Sequence, residues 1–461
     1  MEPRKTYEVV ILGAGLTGLS ASFQLKKQGI SHVILEAQAQ AGGVLQSQSI
    51  QGYTLDHGAN SMALNPQLEE MIRALKLEDH LLKPQGAAAK RLILRKGRLH
   101  EVNGSPLGLL KTSLISGWGK LRLLSEPFRK AQSRPRESVE SFFTRRLGRE
   151  AYQYLAEPIL TGIYAGDGQD LLIEAILPKL KRWEQEHGSL FTGMRKSAKA
   201  SKAQKGSGNG AGRGGRVIAS FQGGMGQFIQ ALADYLSEEL RLNQRLIRLR
   251  KGEQGFELSL EQGEKIQAKQ VIWTLPSNQI DALELPELAP LPSLTYPPMM
   301  MVYLGYEQAS VPRPLDSFGF LAPRVEQEPF LGCIWNSAIF SGKAPEGEVL
   351  FTLLIGGAHH LGKSESEFAE MASSAQRRFE WLMGIQEEPV LTQSYFWPQS
   401  IPQFNGAQLD LKETIAEISE SYPGLHFAGN WLRGVSVGDC AKAGFEQAEA
   451  CASRIKEVAP S

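Results

Sequence analysis

The sequence predicts an α/β fold, α+β overall, and three observations support this prediction. A glycine turn joins a predicted strand to a predicted helix within residues 7–36. Residues 65–205 show mainly helical spacing of apolar residues, whereas residues 296–400 contain short apolar runs typical of strands. A chain of 461 residues is longer than one hydrophobic core usually supports, so we expect two or three domains.

Composition and charge limit the possible classes of protein. The chain has 50 basic and 49 acidic residues, which argues against a protein that coats nucleic acid. Seven Lys or Arg residues nevertheless fall within 111–136, where Glu126 is the one acid, and seven fall within 194–216 with no acid. Three scattered cysteines predict neither a disulfide framework nor a zinc site, and they favour a reducing, cytoplasmic compartment. We expect no signal peptide and no membrane-spanning helix.

The first predicted strand and helix carry a nucleotide-binding fingerprint. The sequence reads YEVVILGAG, then a helical LTGLSASFQLKKQG, then HVILEA, which is a parallel βαβ pattern. Gly13 permits a tight turn, Gly15 lets the backbone approach a pyrophosphate, and Gly18 lets the helix pack closely on the strand. The G-x-G-x-x-G turn consists of Gly13, Ala14, Gly15, Leu16, Thr17 and Gly18.

An acidic residue at the end of the second strand strengthens this prediction. Glu36 lies about 20 residues beyond the fingerprint, where a carboxylate accepts hydrogen bonds from the ribose hydroxyls of a bound dinucleotide. Ala37 follows it directly. Together, the turn and the carboxylate predict a Rossmann-like domain with a dinucleotide site.

The residues after Glu36 resemble the amine-oxidase-type flavoprotein superfamily. Gly42, Gly43 and Val44 match its extended signature, and YTLDHGANSM (residues 53–62) matches the segment that passes the flavin ring in that superfamily. The resemblance implies FAD rather than NAD. It adds to the predicted site Gly58, Ala59, Asn60 and Ser61. His57 lies in the same segment, but a lone histidine is more often structural, so we assign it no role.

The C-terminal motif GNWLRGVSVGDC, residues 429–440, is the more discriminating one. It resembles the GN-x-x-x-GV-x-V-x-x-C ending of the oxygen-dependent protoporphyrinogen oxidase family. RLILRKGRLHEV, SVESFFTRRLG, EPILTGIYAGD and SFQGGMGQFIQAL fall in the family's order, and WPQSIPQF matches a segment of bacterial members. A helix starting near Val435 would direct its positive end at the pyrimidine edge of a flavin. Cys440 is expected to be a buried structural thiol.

The family resemblance implies a cofactor and a reaction. FAD would be bound non-covalently, with further contacts from Leu246, Trp397, Asn430, Val435, Ser436 and Val437. The reaction would be the six-electron oxidation of protoporphyrinogen IX to protoporphyrin IX in haem biosynthesis, with O2 as the oxidant and three H2O2 as products. Such chemistry depends on orientation more than on a strong acid or base. We therefore predict no catalytic side chain, and no metal site.

The same resemblance implies four substrate-binding residues. Arg91 would grip a propionate, since a guanidinium can hold a carboxylate with two hydrogen bonds. Leu321 and Phe340 fall near the family's apolar clamp, and Gly166 would let the backbone approach the macrocycle. Asn60 replaces the arginine of animal members, which puts the animal mode of binding in doubt. Surface and core roles stay open for these residues.

We assign domains from these motifs. The FAD-binding domain comprises residues 1–65, 215–285 and 405–461, and a substrate-binding domain with an antiparallel sheet comprises residues 66–90 and 286–404. A mainly helical inserted domain covers residues 91–214. Its segment 196–216 is rich in Gly, Ser and Lys, so we expect a flexible basic loop there.

Several functions stay open. Coproporphyrinogen III is an alternative substrate, an amine oxidase or desaturase shares the fingerprint, and a non-catalytic flavin-binding protein belongs to a different class. The expected partners are a porphyrinogen and O2, with no nucleic acid. Peripheral membrane contact through the helical domain and a homodimer are further expectations, because basic clusters attract anionic lipid.

Overall fold

The computed structural model describes residues 5–102, 108, 111–205, 217–285 and 291–458. The chain folds into two compact units. Unit 1 comprises Met1–Lys83, Arg216–Leu294 and Ala407–Ser461, and unit 2 comprises Pro84–Gly215 and Thr295–Gly406. Unit 2 holds both the residues predicted as a helical domain and most of those predicted as a substrate domain, so their separate roles stay predictions.

The described strands are numbered in chain order. They are β1 (Lys5–Leu12), β2 (His32–Leu35), β3 (Ser47–Ile50), β4 (Tyr53–Asp56), β5 (Met62–Ala63), β6 (Leu81–Leu82), β7 (Leu92–Arg95), β8 (Arg98–Glu101), β9 (Ile218–Phe221), β10 (Leu240–Arg241), β11 (Leu246–Gly252), β12 (Gly255–Leu260), β13 (Lys265–Trp273), β14 (Leu283–Glu284), β15 (Met299–Glu307), β16 (Gly319–Leu321), β17 (Gly332–Trp335), β18 (Glu348–Gly356), β19 (Leu391–Trp397) and β20 (Leu425–Phe427).

The described α-helices are numbered in the same way. They are α1 (Leu16–Lys27), α2 (Pro66–Ala74), α3 (Gly117–Leu124), α4 (Val139–Leu147), α5 (Arg149–Ala151), α6 (Glu157–Tyr164), α7 (Ile173–Ile176), α8 (Pro178–His187), α9 (Leu190–Lys205), α10 (Met225–Tyr235), α11 (Asn336–Ile339), α12 (Glu365–Met383), α13 (Gly406–Ser421) and α14 (Val437–Val458). In the part of the chain that the structure describes, no helix is both long enough and apolar enough to span a membrane.

Unit 1 is built on a mixed sheet in the order β10-β2-β1-β13-β12-β11-β14, with β20 also paired to β13. The strands β10, β2, β1, β13 and β20 run parallel. All four residues of β2 are buried, as expected for a parallel strand covered on both faces. Helices α1 and α14 pack together because Gly444 lacks a side chain: an added Cβ atom would collide with the carbonyl oxygen of Thr17. The predicted α/β arrangement is confirmed.

Unit 2 contains a seven-stranded sheet in the order β19-β15-β18-β17-β16-β7-β8. Its neighbours pair antiparallel, except that β16 runs parallel to β7. One face of the sheet packs against α12 through Phe351 and Phe379, whose ring centroids lie 5.0 Å apart. The predicted antiparallel sheet is therefore confirmed, but α12 was not predicted within it.

The basic segment 196–216 is not a loop where the structure describes it. Residues 196–205 continue α9, which begins at Leu190. The expectation of a loop rested on the absence of large apolar residues, but Ala, Lys and Gln are strong helix formers and can continue a helix without them. The prediction was wrong for these ten positions, and the remaining residues, 206–216, lie outside the described residues.

Buried ion pairs hold the helices of unit 2 together. Arg145 donates hydrogen bonds to Glu137 and Glu184 at 2.6–3.0 Å. Burial alone would lower the pKa of Arg145, but the hydrogen bonds that it donates to these two carboxylates raise the pKa above its ordinary value. Arg146 pairs with Glu126, and both side chains are fully buried. The carboxylate of Glu126, the one acid among residues 111–136, is thus paired with a cation inside the protein.

Candidate functional site

The glycine turn has the geometry that the fingerprint predicts. Gly13 has a φ of +97°, which favours glycine. A Cβ atom added at Gly18 would collide with the carbonyl oxygen of Gly13, so only glycine lets α1 approach β1 this closely. A Cβ atom at Gly15 would meet nothing within 4 Å, which leaves open space beside the turn. No described side chain caps the start of α1, and its first turn carries no acid.

Glu36 lies beside this turn. Its Oε2 accepts a hydrogen bond from the backbone N–H of Ala14 at 2.7 Å, and its Oε1 accepts one from Gln38 at 2.8 Å. The N–H of Gly13 donates to the carbonyl of Leu35 at 2.9 Å, which fixes the end of β2 against the turn. The carboxylate is therefore next to the start of α1, as a ribose-binding residue requires.

The structure brings the double glycine and the segment 58–61 to the same turn. Gly42 donates its N–H to the carbonyl of Ala14 at 2.8 Å. An added Cβ atom at Gly43 would lie 3.5 Å from the Cα atom of Gly15, and one at Gly58 would collide with the carbonyl oxygen of Val44. Beside Gly58, the buried Nδ2 of Asn60 has no hydrogen-bond partner among the described residues. A buried donor of this kind needs an acceptor, which a bound ligand can supply.

The C-terminal motif reaches the same edge of the sheet. Leu12, Trp273 and Phe427 are aligned in register at the carboxyl ends of β1, β13 and β20. Ligands of open α/β sheets bind at this edge. The turn carrying Asn430 follows β20 and leads into α14. Helix α14 starts at Val437, two residues after the start predicted near Val435.

The start of α14 is partly occupied by its own side chains. Ser436 Oγ accepts the N–H of Asp439 at 3.1 Å and donates to Asp439 Oδ2 at 2.6 Å. The carboxylate of Asp439 therefore offsets part of the positive end of the helix. Burial raises the pKa of the Cys440 thiol to about 11, which agrees with a structural thiol that stays protonated near neutral pH.

Two further predicted FAD residues lie in other strands. Leu246 begins β11, two positions after Gln244, whose N–H donates to the carbonyl of Glu36 at 2.7 Å. Trp397 ends β19 in unit 2, where its ring lies 4.9 Å from that of Tyr395. Both stay predictions.

The residues present fit an FAD nucleotide. The open space beside Gly15 and the uncapped start of α1 suit a pyrophosphate. The Glu36 carboxylate suits ribose hydroxyls, and the Nδ2 of Asn60 offers a donor. These groups all belong to unit 1. Burial lowers the pKa of His57, so the neighbouring imidazole stays neutral near neutral pH.

We expect Glu36→Ala to weaken FAD binding. The prediction that Glu36 binds the ribose implies that the variant loses charge-assisted hydrogen bonds, each worth about 1.5–3 kcal/mol, so the dissociation constant should rise at least tenfold. Fluorescence titration of the apoprotein with FAD measures it. Glu36→Gln keeps the shape of the side chain without its charge, so its FAD dissociation constant should lie between those of the wild type and the alanine variant. Wild-type affinity in the alanine variant would show that the ribose is held elsewhere.

Arg91 is exposed and held in place by its own unit. Its Nη1 donates to the carbonyls of Ala88 and Lys90, and its guanidinium lies 3.9 Å from the centroid of the Phe318 ring. Although part of its surface is exposed, the residues packed around the guanidinium desolvate it and lower the pKa of Arg91, but an arginine stays charged at neutral pH. Among the described residues no carboxylate pairs with it, so its charge is available to a ligand.

The other three predicted substrate residues also lie in unit 2. Leu321 ends β16 and packs on α6, where a Cβ atom added at Gly162 would lie 2.8 Å from its Cδ2. A glycine is needed at position 166 because an added Cβ atom would collide with the Oε1 of Gln403. Phe340 is buried at the end of α11. All three stay predictions, and the packing explains the need for glycine at 166 without a ligand.

A polar cluster of three side chains next to Gly166 was not predicted from the sequence. Asp167 Oδ2 lies 2.9 Å from Arg324 Nη1 and 3.2 Å from His359 Nε2. Burial, followed by the charge of Arg324, lowers the pKa of His359. The three residues are far apart in the sequence, so no local pattern could have joined them. Among the described residues no group of three His, Cys, Asp or Glu side chains is arranged to hold a metal ion.

Comparison with known proteins places the chain in a family. The family model described as flavin containing amine oxidoreductase matches residues 16–452. The chain is 30% identical to the chloroplastic protoporphyrinogen oxidase of Nicotiana tabacum, with 97% of this chain and 85% of that protein covered. It is 28% identical to the coproporphyrinogen III oxidase of Bacillus subtilis, with 94% and 95% covered.

A solved structure shows the same fold. It is provisionally named a protoporphyrinogen oxidase, from Exiguobacterium sp. 255-15, and it matches with a TM-score of 0.79 and 23% identity over 98% of this chain and 99% of that chain. The chain therefore belongs to the flavin-containing amine oxidoreductases, in the group of the protoporphyrinogen and coproporphyrinogen III oxidases, and it is an oxidoreductase whose cofactor is FAD.

Proposed function

We propose that the protein oxidises protoporphyrinogen IX to protoporphyrin IX with O2 as the oxidant. The observation that carries the proposal lies in unit 1, where the glycine turn leaves open space beside Gly15 at the uncapped start of α1, next to the carboxylate of Glu36. Within unit 2, no described carboxylate pairs with the exposed Arg91. The names of the relatives add the class of substrate. When bound, FAD accepts the electrons that the substrate loses and passes them to O2.

The chain's own residues bind and orient the cofactor and the substrate. The start of α1 and Gly15 hold the pyrophosphate, Glu36 holds the ribose, and Asn60 offers its unpaired Nδ2 to the cofactor. Arg91 holds a propionate of the porphyrinogen with its guanidinium fork. The FAD is held without a covalent bond, so denaturation with acid should release all of the flavin.

Coproporphyrinogen III is the second candidate substrate. It carries four propionates where protoporphyrinogen IX carries two, so it gains more from a basic surface. The experiment is to supply each porphyrinogen to the purified protein and to follow porphyrin fluorescence and H2O2 release. A kcat/KM at least tenfold higher for one of them identifies the substrate, and the absence of turnover with both would overturn the proposal.

We expect Arg91→Ala to raise the KM for the porphyrinogen at least tenfold. Loss of one partner of a desolvated charge pair costs about 2–5 kcal/mol, whereas an exposed pair is worth less than about 1 kcal/mol. The FAD content should not change. Arg91→Lys should recover only part of the loss, because an ammonium cannot reproduce the guanidinium fork. Wild-type kinetics with both porphyrinogens would mean that Arg91 is an ordinary surface residue.

Peripheral contact with a membrane is also proposed, on the basis of an exposed ridge in unit 2. Residues of α3 and the turn after it form this apolar ridge, whose side chains are exposed by 51–91%: Trp118, Leu121, Leu124 and Phe128. Arg129 and Lys130 lie exposed beside it, whereas Glu126 is buried against Arg146. A short helix with aromatic and cationic side chains suits an anionic lipid surface.

We expect the protein to co-sediment with vesicles that contain phosphatidylserine, less as salt is added, and weakly with phosphatidylcholine alone. Trp118→Ala combined with Phe128→Ala should reduce this binding at least tenfold. Burial of each of these side chains in the lipid contributes about 1.5–3 kcal/mol to the free energy of binding. Trp381→Ala is the matched control, since Trp381 is 66% exposed outside the ridge. Equal binding of all three proteins would rule out the ridge.

A further inference from the structure

Residues 57–64 of unit 1 carry four predicted FAD contacts, yet most of this segment has irregular backbone. Asp56 precedes it and Asn65 follows it. Each of these two side chains binds the first turn of at least one helix elsewhere in the unit. We propose that Asp56 and Asn65 are positioning residues, which anchor the two ends of the segment and thereby set the affinity for FAD.

Asp56 provides the first anchor. Its side chain is fully buried, and its Oδ1 accepts the backbone N–H of Met225 at 2.7 Å, the first residue of α10. The same oxygen accepts the hydroxyl of Ser47 at 2.6 Å, and Ser47 Oγ accepts the N–H of Gly226 at 2.8 Å. The hairpin β3–β4 thus caps a helix about 170 residues further along the chain.

The described helix α10 has no capping side chain of its own, so the hairpin β3–β4 caps it. Its own N-cap residue, Gly224, has no side chain to cap with and a φ of +80°, and the first turn of this described helix has no acidic residue. A Cβ atom at Gly224 would lie 2.5 Å from Asp56 Oδ1. The glycines in SFQGGMGQ therefore make room for the carboxylate, whose negative charge complements the start of α10.

Asn65 provides the second anchor through both polar atoms of its side-chain amide, Oδ1 and Nδ2. Its Oδ1 accepts the N–H of Leu68 at 2.9 Å and so caps α2, where Pro66 occupies the first turn. Its Nδ2 donates to the carbonyl of Gly438 at 2.8 Å, in the first turn of α14. One side chain thus joins the segment to the helix whose start belongs to the predicted FAD site.

The two anchors fix the position of Asn60. The Nδ2 of Asn60 is buried and has no partner among the described residues, and its location is set by a backbone whose ends are held at 56 and 65. A donor fixed in advance binds its ligand without an ordering cost. Release of either anchor should therefore weaken FAD binding more than it destabilises the fold.

The test uses Asn65→Asp and Asp56→Asn in the full-length chain. Asn65→Asp keeps an acceptor for Leu68 and removes the donor to Gly438, whereas Asp56→Asn keeps the shape and removes the charge at α10. For each variant we expect at least a tenfold rise in the FAD dissociation constant and a shift in the flavin absorption spectrum, with an apoprotein Tm close to that of wild type.

The matched control is Ser364→Ala, which removes the capping box of α12 in unit 2. It should lower the Tm without changing FAD affinity. FAD dissociation constants within twofold of wild type for both anchor variants would overturn the proposal. So would a fall in apoprotein Tm that accounts for the whole loss of FAD, because that is the signature of a purely structural role. The proposed substrate is not involved, so turnover tests remain independent.

Discussion

Gly18→Ala is expected to yield protein with less than a tenth of the wild-type FAD content. The added methyl group would collide with the carbonyl oxygen of Gly13 and approach the Thr274 Oγ1 to 3.1 Å. Because backbone cannot swing aside as a flexible side chain can, α1 must move away from β1, and overpacking of this kind costs about 1–3 kcal/mol or more. The start of α1 would then leave the position proposed for binding the pyrophosphate. Flavin absorbance of the purified variant measures the loss.

Gly15→Ala is the matched control for that result. Its Cβ atom would meet nothing within 4 Å in the protein, so the apoprotein should keep its wild-type Tm. It should nonetheless lose FAD, because the methyl group enters the space assigned to the pyrophosphate. Gly18→Ala should lower both the Tm and the FAD content. Full FAD affinity in Gly15→Ala would show that the nucleotide does not approach this turn.

Arg146→Met is expected to lower the free energy of unfolding by about 3–5 kcal/mol, since it leaves the buried carboxylate of Glu126 without its cation. Glu126 Oε2 would keep the hydroxyl of Ser189 at 2.6 Å, and Oε1 would keep the N–H of Leu190 at 2.9 Å, but these neutral donors do not replace a charge. Urea denaturation measures the change.

Glu126→Gln combined with Arg146→Met is the control for this second result. Removal of both charges should recover much of the stability, because no isolated charge is left buried. A double variant as unstable as the single one would mean that Arg146 acts through its other contacts, such as the hydrogen bond to the carbonyl of Gly188 at 2.8 Å. FAD affinity should stay at the wild-type value in both variants.

The sequence predicted unit 1 well because its signals are local. The turn at Gly13–Gly18 lies between a strand and a helix, as its spacing requires, and Glu36 follows the next strand. By contrast, the anchors at Asp56 and Asn65 bind residues 169 and 373 positions away, and no periodicity reveals such pairs. Asn65 could have been recognised as a helix start, because it precedes Pro66.

Unit 2 was predicted less completely, for two physical reasons. The helix α12 lies between strands. Its sequence signals are a capping box at Ser364 and Glu367 and a C-terminal Gly384. The apolar runs on either side of it favoured the prediction of strands instead. In α9, the helical propensity of Ala and Lys outweighed the absence of large apolar residues. The exposure of the apolar ridge at Trp118 and Phe128 is a tertiary property, which composition cannot supply.

The most direct test of the proposed activity is anaerobic mixing of the purified yellow protein with protoporphyrinogen IX, and separately with coproporphyrinogen III, followed by admission of air. The account predicts that one porphyrinogen bleaches the flavin absorbance, and that air restores it with release of porphyrin and H2O2. Flavin that stays oxidised with both porphyrinogens, but is bleached by a primary amine, would contradict the account and indicate an amine oxidase.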